Sequence, residues 1–415
     1  MSKVAVHLDG RTHLAVGLMS GTSHDGVSAT LVRIDERKSP PTTLVAFRTY
    51  PYPPKFRARL LAASSDSQGQ SQHQNQAPSH SASWAGAGGI STLNFELGRI
   101  FGTAALRVTR AAHVPIRRLS FIGSHGHTFF HQPRRAGRAT ASTLQLAEPA
   151  VIAAMTGAPV VADFRPMDVA VGGEGAPLAP LAHLWLFGHQ RLGRVVQNIG
   201  GIGNATYLPP AARTGDRRLI AFDTGPGGML IDALVARLTS GRLGMDRDGT
   251  MAARGRVDGA MLAELMRNPY FRRKPPKSTG REEFGAHYLD AILQGARDRA
   301  MSSDDLIASV TALTARAIGD ACRRFIAPLG RVDQLIASGG GAHNPTLMKM
   351  IAAELPGIEV MTSGQVGVDG GALEAIAFAI LAYQMLRGLP GNIPSVTGAR
   401  SPAILGKLTL PPAPR

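Results

Sequence analysis

One cysteine in 415 residues, Cys322, rules out an internal disulfide framework and points to a reducing compartment, with the fold held by its core. Cys322 sits in a helical pattern with Ala321 and Phe325, so buried packing is expected of it rather than thiol chemistry. Aromatic residues make up only 5% of the chain, too few for the stacking platforms that line nucleic-acid grooves. Long apolar runs are also missing. The longest, Ala375 to Tyr383, is far too short to span a bilayer, and no basic segment followed by an apolar stretch opens the chain as in a signal peptide. A soluble, cytoplasmic protein without a membrane partner is expected. Acidic residues are in deficit, 29 against 45 basic, for a formal charge of +16. That balance raises the question of nucleic acid. Yet the cations are mostly scattered arginines with short groups such as Arg117-Arg118, Arg134-Arg135 and Arg272-Arg273-Lys274. A solvated basic surface suited to anionic small molecules is the expectation, with no nucleic-acid partner. Neither a Walker motif nor a dinucleotide fingerprint with a suitably spaced acid is present.

What is present is a globular composition, 44% hydrophobic and 18% charged, in a chain long enough for roughly two domains. The first organised stretch is Val16 to Asp35, two apolar strands around a Gly-Thr-Ser-His-Asp-Gly turn. That turn, Gly21 to Gly26, reads either as an ordinary polar hairpin tip or as an anion cradle, with Asp25 placed to meet a metal. A third strand is expected over Leu44–Tyr50 and a helix from Lys55 to Ala63. Ser64 to Thr92 is rich in Ser, Gln, His, Gly and Ala and is expected to be a mobile or disordered insertion; His73 and His80 within it are fortuitous metal ligands at most. Leu93–Ala112 has helical spacing. Leu119–Ser124 is a strand leading into Ser-His-Gly-His, where His125 and His127 fit a pocket-lining loop better than a zinc site, since no Cys or carboxylate cluster completes one.

Further on, Glu148–Thr156 reads as a helix and Pro159–Ala162 as a strand. It delivers Asp163-Phe164-Arg165, Asp168 and the glycine loop Gly172 to Gly175. Arg165 with Asp163 is either a structural ion pair or a clamp on a polar ligand. Strands at Val195–Ile199 and Ala205–Leu208 flank a second glycine turn containing Gly200, Gly201 and Gly203. The strand Leu219–Phe222 then delivers Asp223 just before Gly225, Gly227, Gly228 and a helix, Met229–Leu238. Asp223 is an N-cap or a catalytic acid; the neighbouring glycines favour catalysis. Asp246 to Gly249 is expected to cap a helix, and Lys277 to Glu282 to contact phosphates or close over a cleft. Ser303–Phe325 is a long amphipathic helix. Leu335–Ser338 runs into Gly339, Gly340 and Gly341, whose bare backbone suits a flat ring such as adenine. Glu374 interrupts an apolar helix, Gly371–Arg387, and is expected to face a pocket. Strands that come first as a meander and then alternate with helices, twice over, indicate two α/β halves with a cleft between them.

Ordered along the chain, GLMSGTSHDGV, GSHGHT, ADFRPMDVAVGGEGAPL, NIGGIGNAT, FDTGPGG, DRDG, PKSTGRE, GGGAHNP, ALEAIAFA and LPGNIPSVTGA resemble the anhydro-N-acetylmuramic acid kinases of the sugar kinase/actin/Hsp70 ATPase superfamily. The resemblance implies a two-domain, actin-like (ribonuclease H-like) α/β fold with a central interdomain cleft. Domain I is expected over 1–164 plus 386–415 and domain II over 165–385. It implies that ATP with Mg2+ phosphorylates O6 of 1,6-anhydro-N-acetylmuramic acid while water opens the ring at C1, in peptidoglycan recycling, and that the enzyme is a homodimer. By motif, Asp223 is the base and Glu374 a second acid near the sugar. Gly21, Thr22, Ser23, His24, Asp25, Gly26, Val27 and Ser28 form the first phosphate segment, with Asp25 toward the metal. Gly200, Gly201 and Gly203 form the second, Gly339, Gly340 and Gly341 the nucleotide loop, and His125, Arg165 and Asp168 meet the sugar.

Five departures from the family pattern stand out: Ser28 for aspartate, Glu174 and His127 for glutamines, Gly228 for asparagine, and LAEPA at Leu146–Ala150 for IGNPA. They leave two alternatives, a kinase for a related amino sugar and a non-catalytic actin-like nucleotide-binding module.

Overall fold

The computed structural model describes residues 8, 11–21, 25–67, 86–132, 134 and 140–413. The chain opens with the expected meander: β1 (His13–Ser20), β2 (Gly26–Ile34) and β3 (Thr42–Pro51), each antiparallel to the next. Helices α1 (Pro54–Ser67) and α2 (Ala87–Ala111) follow. Both edges of the expected insertion are therefore helical, and 68–85, with His73 and His80, lies outside the described residues. Leu93, Leu97, Phe101, Ala104, Ala105 and Val108 of α2 are buried at helical spacing against the sheet. Next come β4 (Phe121–Gln132), parallel to β1, and β5 (Ser142–Leu146) on its flank. The chain continues through α3 (Pro149–Thr156), β6 (Val160–Ala162), α4 (Phe164–Ala170) and α5 (Ala179–Phe187).

A second meander, β7 (Arg194–Ile199), β8 (Ile202–Leu208) and β9 (Ile220–Pro226), leads into α6 (Met229–Leu238). Short helices α7 (Thr250–Arg254), α8 (Gly259–Leu265) and α9 (Arg281–Phe284) precede α10 (Ala286–Asp298) and the buried α11 (Ser303–Ala321). Asp246 caps α7 as expected, accepting from the amides of Met251 and Ala252 at 2.8 and 3.0 Å. The chain then runs through β10 (Gln334–Ser338), α12 (Pro345–Glu354), β11 (Glu359–Thr362), α13 (Leu373–Leu386), α14 (Pro394–Thr397) and β12 (Lys407–Thr409). Cys322, at the end of α11, is buried in the core beside β7, and that burial pushes its thiol up to about 12. Among the described residues no helix is long and apolar enough to cross a membrane.

The chain divides into two units, Met1–Leu186 with Gly371–Arg415, and Phe187–Gly370. In the first sheet the strands run β3-β2-β1-β4-β6 with β12 beyond and β5 on β4; in the second they run β9-β8-β7-β10-β11. With the flanking β5 and the terminal β12 left out of the count, both orders are 3-2-1-4-5 with the first three strands antiparallel, the ribonuclease H-like arrangement duplicated in actin-like ATPases.

The observed boundaries correct the expected ones at 164/165 and 385/386. Residues 165–186 and 371–385 fall in the first unit, the latter because α13 lies directly on its sheet. Gly17 of β1 and Gly123 of β4 have no side chain there because a Cβ on either would collide with the carbonyl of Ala375 or Phe378.

Candidate functional site

In the first unit the expected phosphate turn sits between β1 and β2. Its residues Thr22, Ser23 and His24 lie outside the described ones; Gly21 and the exposed Asp25 flank them. Tyr52 holds both ends. Its hydroxyl donates to Ser20 Oγ at 2.8 Å, and its amide donates to the Asp25 carbonyl at 3.1 Å. Ser20 Oγ in turn lies 3.2 Å from Nδ1 of the buried His127. Gly26 is required where β2 meets β3, since a Cβ would collide with the carbonyl of Tyr50. Two members of the expected phosphate segment have their side chains engaged within the sheet. Val27 is 0% exposed in the core, and Ser28 lies inside β2 with its hydroxyl 3.3 Å from Thr49 Oγ1 across the strand pair.

His125 and His127 lie within β4 rather than in a loop after it, because the strand continues to Gln132 past a positive-φ Gly126 (+75°). His125 is 2% exposed and packs on Phe378 with ring centroids 4.3 Å apart. Arg165 Nε donates to its Nε2 at 2.9 Å, so the ring proton sits on Nδ1, which donates to the Gly126 carbonyl at 3.1 Å. Burial, then the Arg165 cation, hold His125 well below the ordinary imidazole range, so it is neutral.

Arg165 also donates from Nη1 to the Gly175 carbonyl at 2.7 Å. Burial lowers its guanidinium to about 10, and the carboxylates of Glu374 and Asp168 oppose that shift. It does not pair with Asp163, which binds Lys407 at 2.8 Å instead, so the ion-pair alternative falls. Glu374, in the first turn of α13, reaches solvent. Protein packed around it pushes its carboxyl above the usual range, and Arg165 pulls it back.

Asp168 is corrected as a sugar contact. It is 0% exposed, and its oxygens already accept from the Gly175 amide at 2.8 Å, Asn392 Nδ2 at 2.7 Å and Thr397 Oγ1 at 2.7 Å. A carboxylate so occupied holds the Gly172–Gly175 loop to the turn around α14 and has no face left for a ligand. Glu174 in that loop turns its Oε2 to the Arg134 amide at 2.8 Å. Glu148 caps α3 by accepting from the Ala150 amide at 3.0 Å and is held by Asn94 at 3.0 Å.

In the second unit the glycine turns converge at one end of the sheet. The Gly200 and Gly201 carbonyls accept from the amides of Gly228 at 2.7 Å and Gly227 at 2.8 Å. A Cβ on Gly227 would collide with the Gly200 carbonyl; one on Gly203 would lie 2.8 Å from Thr224 Oγ1. Gly339, at φ +79°, packs against Asn198 and Ile199, and Gly341 against the Ile199 side chain. Gly340 has nothing within 4 Å of its Cβ position, so its face is open. Together the turns after β7, β9 and β10 form a surface with bare backbone.

Asp223 lies beside them, half-buried, in the middle of β9, because the strand expected to stop at Phe222 runs on to Pro226. Its Oδ2 accepts from the Thr279 amide at 3.0 Å, its own amide donates to the Lys277 carbonyl at 3.1 Å, and its carbonyl accepts from Tyr270 Oη at 2.7 Å. Burial raises the carboxyl to about 6 against the lowering effects of the Thr279 amide and Lys277.

Lys277 corrects another expectation. It is 7% exposed, with its ammonium turned inward toward the rings of Tyr270 (4.5 Å), Phe325 (4.8 Å) and Phe222 (5.7 Å) rather than out toward phosphates. Burial brings it down to about 8. Tyr270 was not legible as a site residue; a Tyr-Phe pair ahead of a Pro-Pro-Lys turn is its only signal.

No group of three or more His, Cys, Asp or Glu side chains among the described residues is placed to hold a metal by itself. Asp25, an exposed carboxylate beside the Gly21–Gly26 turn, has the chemistry of a Mg2+ ligand, since Mg2+ takes few protein carboxylates and completes its shell with other oxygens and water.

A profile of the anhydro-N-acetylmuramic acid kinase family matches residues 13–411. The chain is 41% identical over 401 residues to the anhydro-N-acetylmuramic acid kinase of Caldanaerobacter subterraneus subsp. tengcongensis, covering 96% of this chain and 97% of the relative. It is 40% identical over 399 residues to the Bacillus cereus protein of the same name, covering 95% and 99%. Component A of the (R)-2-hydroxyglutaryl-CoA dehydratase of Acidaminococcus fermentans superposes with a TM-score of 0.44 at 14% identity, over 90% of this chain and 99% of that one. The family match over almost the whole chain and relatives near 40% identity over nearly their full lengths lead to one conclusion: the chain belongs to the anhydro-N-acetylmuramic acid kinase family.

Proposed function

We propose that this chain opens 1,6-anhydro-N-acetylmuramic acid with water at C1 while ATP phosphorylates O6, giving N-acetylmuramic acid 6-phosphate in peptidoglycan recycling. In that reaction the water oxygen bonds to C1, the C1–O6 bond breaks, and O6 takes the γ-phosphoryl group of ATP as ADP leaves. Asp223 takes the water's proton. The observation that carries the reading is the state of Asp223. Its carboxyl is raised to about 6 by burial, so it is ionised at neutral pH yet a stronger base than an exposed aspartate. One of its oxygens is fixed by the Thr279 amide, which leaves Oδ1 for the water.

In the same reading Arg165, oriented by His125 and the Gly175 carbonyl, binds the sugar's carboxylate, and Glu374 positions the water or the sugar. The Gly21–Gly26 turn and the Gly200–Gly203 turn hold the phosphates. Gly339 to Gly341 face the base, with Gly340 open for it. Asp25 would hold Mg2+, which neutralises charge on the phosphate oxygens when bound. Two departures from the family pattern have partners within the protein, Glu174 on the Arg134 amide and His127 beside Ser20. This favours the family's own substrate over a related amino sugar. A cytoplasmic homodimer completes the proposal.

The deciding experiment is product analysis of Asp223→Asn with Mg-ATP and the anhydro sugar. The amide cannot take a proton, so ring opening is expected to fall by at least a factor of about 100. Wild-type levels of N-acetylmuramic acid 6-phosphate from this variant would remove Asp223 from the mechanism.

A further inference from the structure

The segment 277–279 lies along β9 and contacts Asp223 at both main chain and side chain. The Asp223 amide donates to the Lys277 carbonyl at 3.1 Å, and the Thr279 amide returns a bond to Asp223 Oδ2 at 3.0 Å. Tyr270 closes the circuit from the other side. Its hydroxyl donates to the Asp223 carbonyl at 2.7 Å, and its own carbonyl accepts from Lys277 Nζ at 3.3 Å. The Lys277 ammonium is buried among the rings of Tyr270, Phe325 and Phe222. Burying a cation is costly unless aromatic faces and an acceptor replace its water, and here both do. A lysine this enclosed is not a surface charge that happens to lie near an acid. It anchors the polar Lys277–Glu282 loop on the side away from solvent.

We infer that Lys277 is a positioning residue for Asp223: its caged ammonium holds the 277–279 segment against β9, so that the Thr279 amide stays on Oδ2 and Oδ1 remains available to the attacking water. The inference rests on Asp223 being the base. Lys277 works through two routes of the same sign. Loss of the anchor loosens the Thr279 bond, and loss of the cation removes an attraction, and each disfavours the ionised carboxylate. The other charged or titratable groups that bear on the pair are Glu282, which raises Asp223, Tyr270, and Asp320 and Arg273 beside Lys277.

The test is the pH profile of kcat/KM for the full-length enzyme as wild type, Lys277→Met, Lys277→Arg and Asp223→Asn. Met fills the cage without charge; Arg fills it with charge and donors. For Lys277→Met the acid limb is expected to move up by roughly 0.5–1 pH unit, with kcat down about ten- to a hundredfold and the KM for ATP unchanged. Lys277→Arg is expected to keep the wild-type limb and recover most of kcat. A wild-type limb in Lys277→Met, or a displaced limb in Lys277→Arg, overturns the inference, and the Arg variant decides it alone if the Met variant does not fold. Asp223→Asn separates the two levels. Full ring opening in that variant overturns the base assignment itself, whereas an inactive Asp223→Asn with an unmoved Lys277→Met limb overturns only the role of Lys277.

Discussion

Arg165 Nε donates to His125 Nε2 at 2.9 Å, and the cation that results is held by a neutral imidazole rather than by an acid. The guanidinium charge is therefore not cancelled at that partner, and the carboxylates of Glu374 and Asp168 also act on it.

A lysine at position 165 keeps the charge but loses the fork that reaches both His125 and the Gly175 carbonyl. Arg165→Lys is expected to raise the KM for the anhydro sugar at least about tenfold, a single lost charge-assisted contact, with the KM for ATP unchanged. Steady-state kinetics with each substrate varied measures this, and an unchanged sugar KM would free Arg165 from substrate binding.

Asp168 gives the opposite expectation, because its oxygens are occupied by Gly175, Asn392 and Thr397. Asp168→Ala leaves those buried donors unmatched and is expected to cost about 3 kcal/mol or more in stability. Denaturant unfolding reads it directly. A normal unfolding midpoint combined with lost sugar affinity would restore Asp168 as a ligand contact.

The legible parts of the site were those with local causes. Gly26, Gly227 and Gly339 are glycines because neighbouring backbone passes too close for a side chain, and at Gly339 also because φ is positive, and such turns punctuate a sequence visibly. Asp223 stood out because it follows the apolar run Leu219–Phe222 and precedes such a turn, although β9 continues through it to Pro226. The meanders and α6 followed from apolar alternation and helical spacing. What stayed hidden was nonlocal. Two of the three partners of Asp168 lie 224 and 229 residues away, so its local sequence did not reveal that both oxygens were taken. The inward turn of Lys277 depends on Phe222 and Phe325, and the membership of α13 in the first unit depends on Gly17 and Gly123. In each case tertiary packing between segments distant in sequence decided the outcome.

The glycines of the second unit separate packing from ligand contact. Gly227→Ala forces a Cβ against the Gly200 carbonyl and is expected to cost about 1–3 kcal/mol of stability. Gly340→Ala meets nothing within 4 Å, so its unfolding midpoint is expected to stay within about 0.5 kcal/mol of wild type. If the base of ATP lies on that face, the added methyl weakens nucleotide binding several-fold in calorimetry while stability holds. Unaltered affinity in Gly340→Ala would move the adenine site elsewhere.

Stability is expected to fall as pH drops from 7 to 5, and the cause lies in two buried histidines. Burial holds His183 at about 4 and His125 well below the ordinary value, whereas in the unfolded chain both titrate near ~6.5. Below that value the unfolded state binds protons that the folded state refuses, so the stability present above ~6.5 is lost with acid. His183 alone accounts for about 2 kcal/mol by pH 5. Asp223 acts in the opposite direction. Raised to about 6, it takes up a proton in the folded state before the unfolded chain does and returns part of the loss. Denaturant midpoints at pH 7 and pH 5 measure the net change. His183→Gln is expected to show a shallower decline than wild type whatever its stability at pH 7, because its side chain has no proton to gain on unfolding. A decline as steep as that of wild type would place the acid sensitivity outside His183.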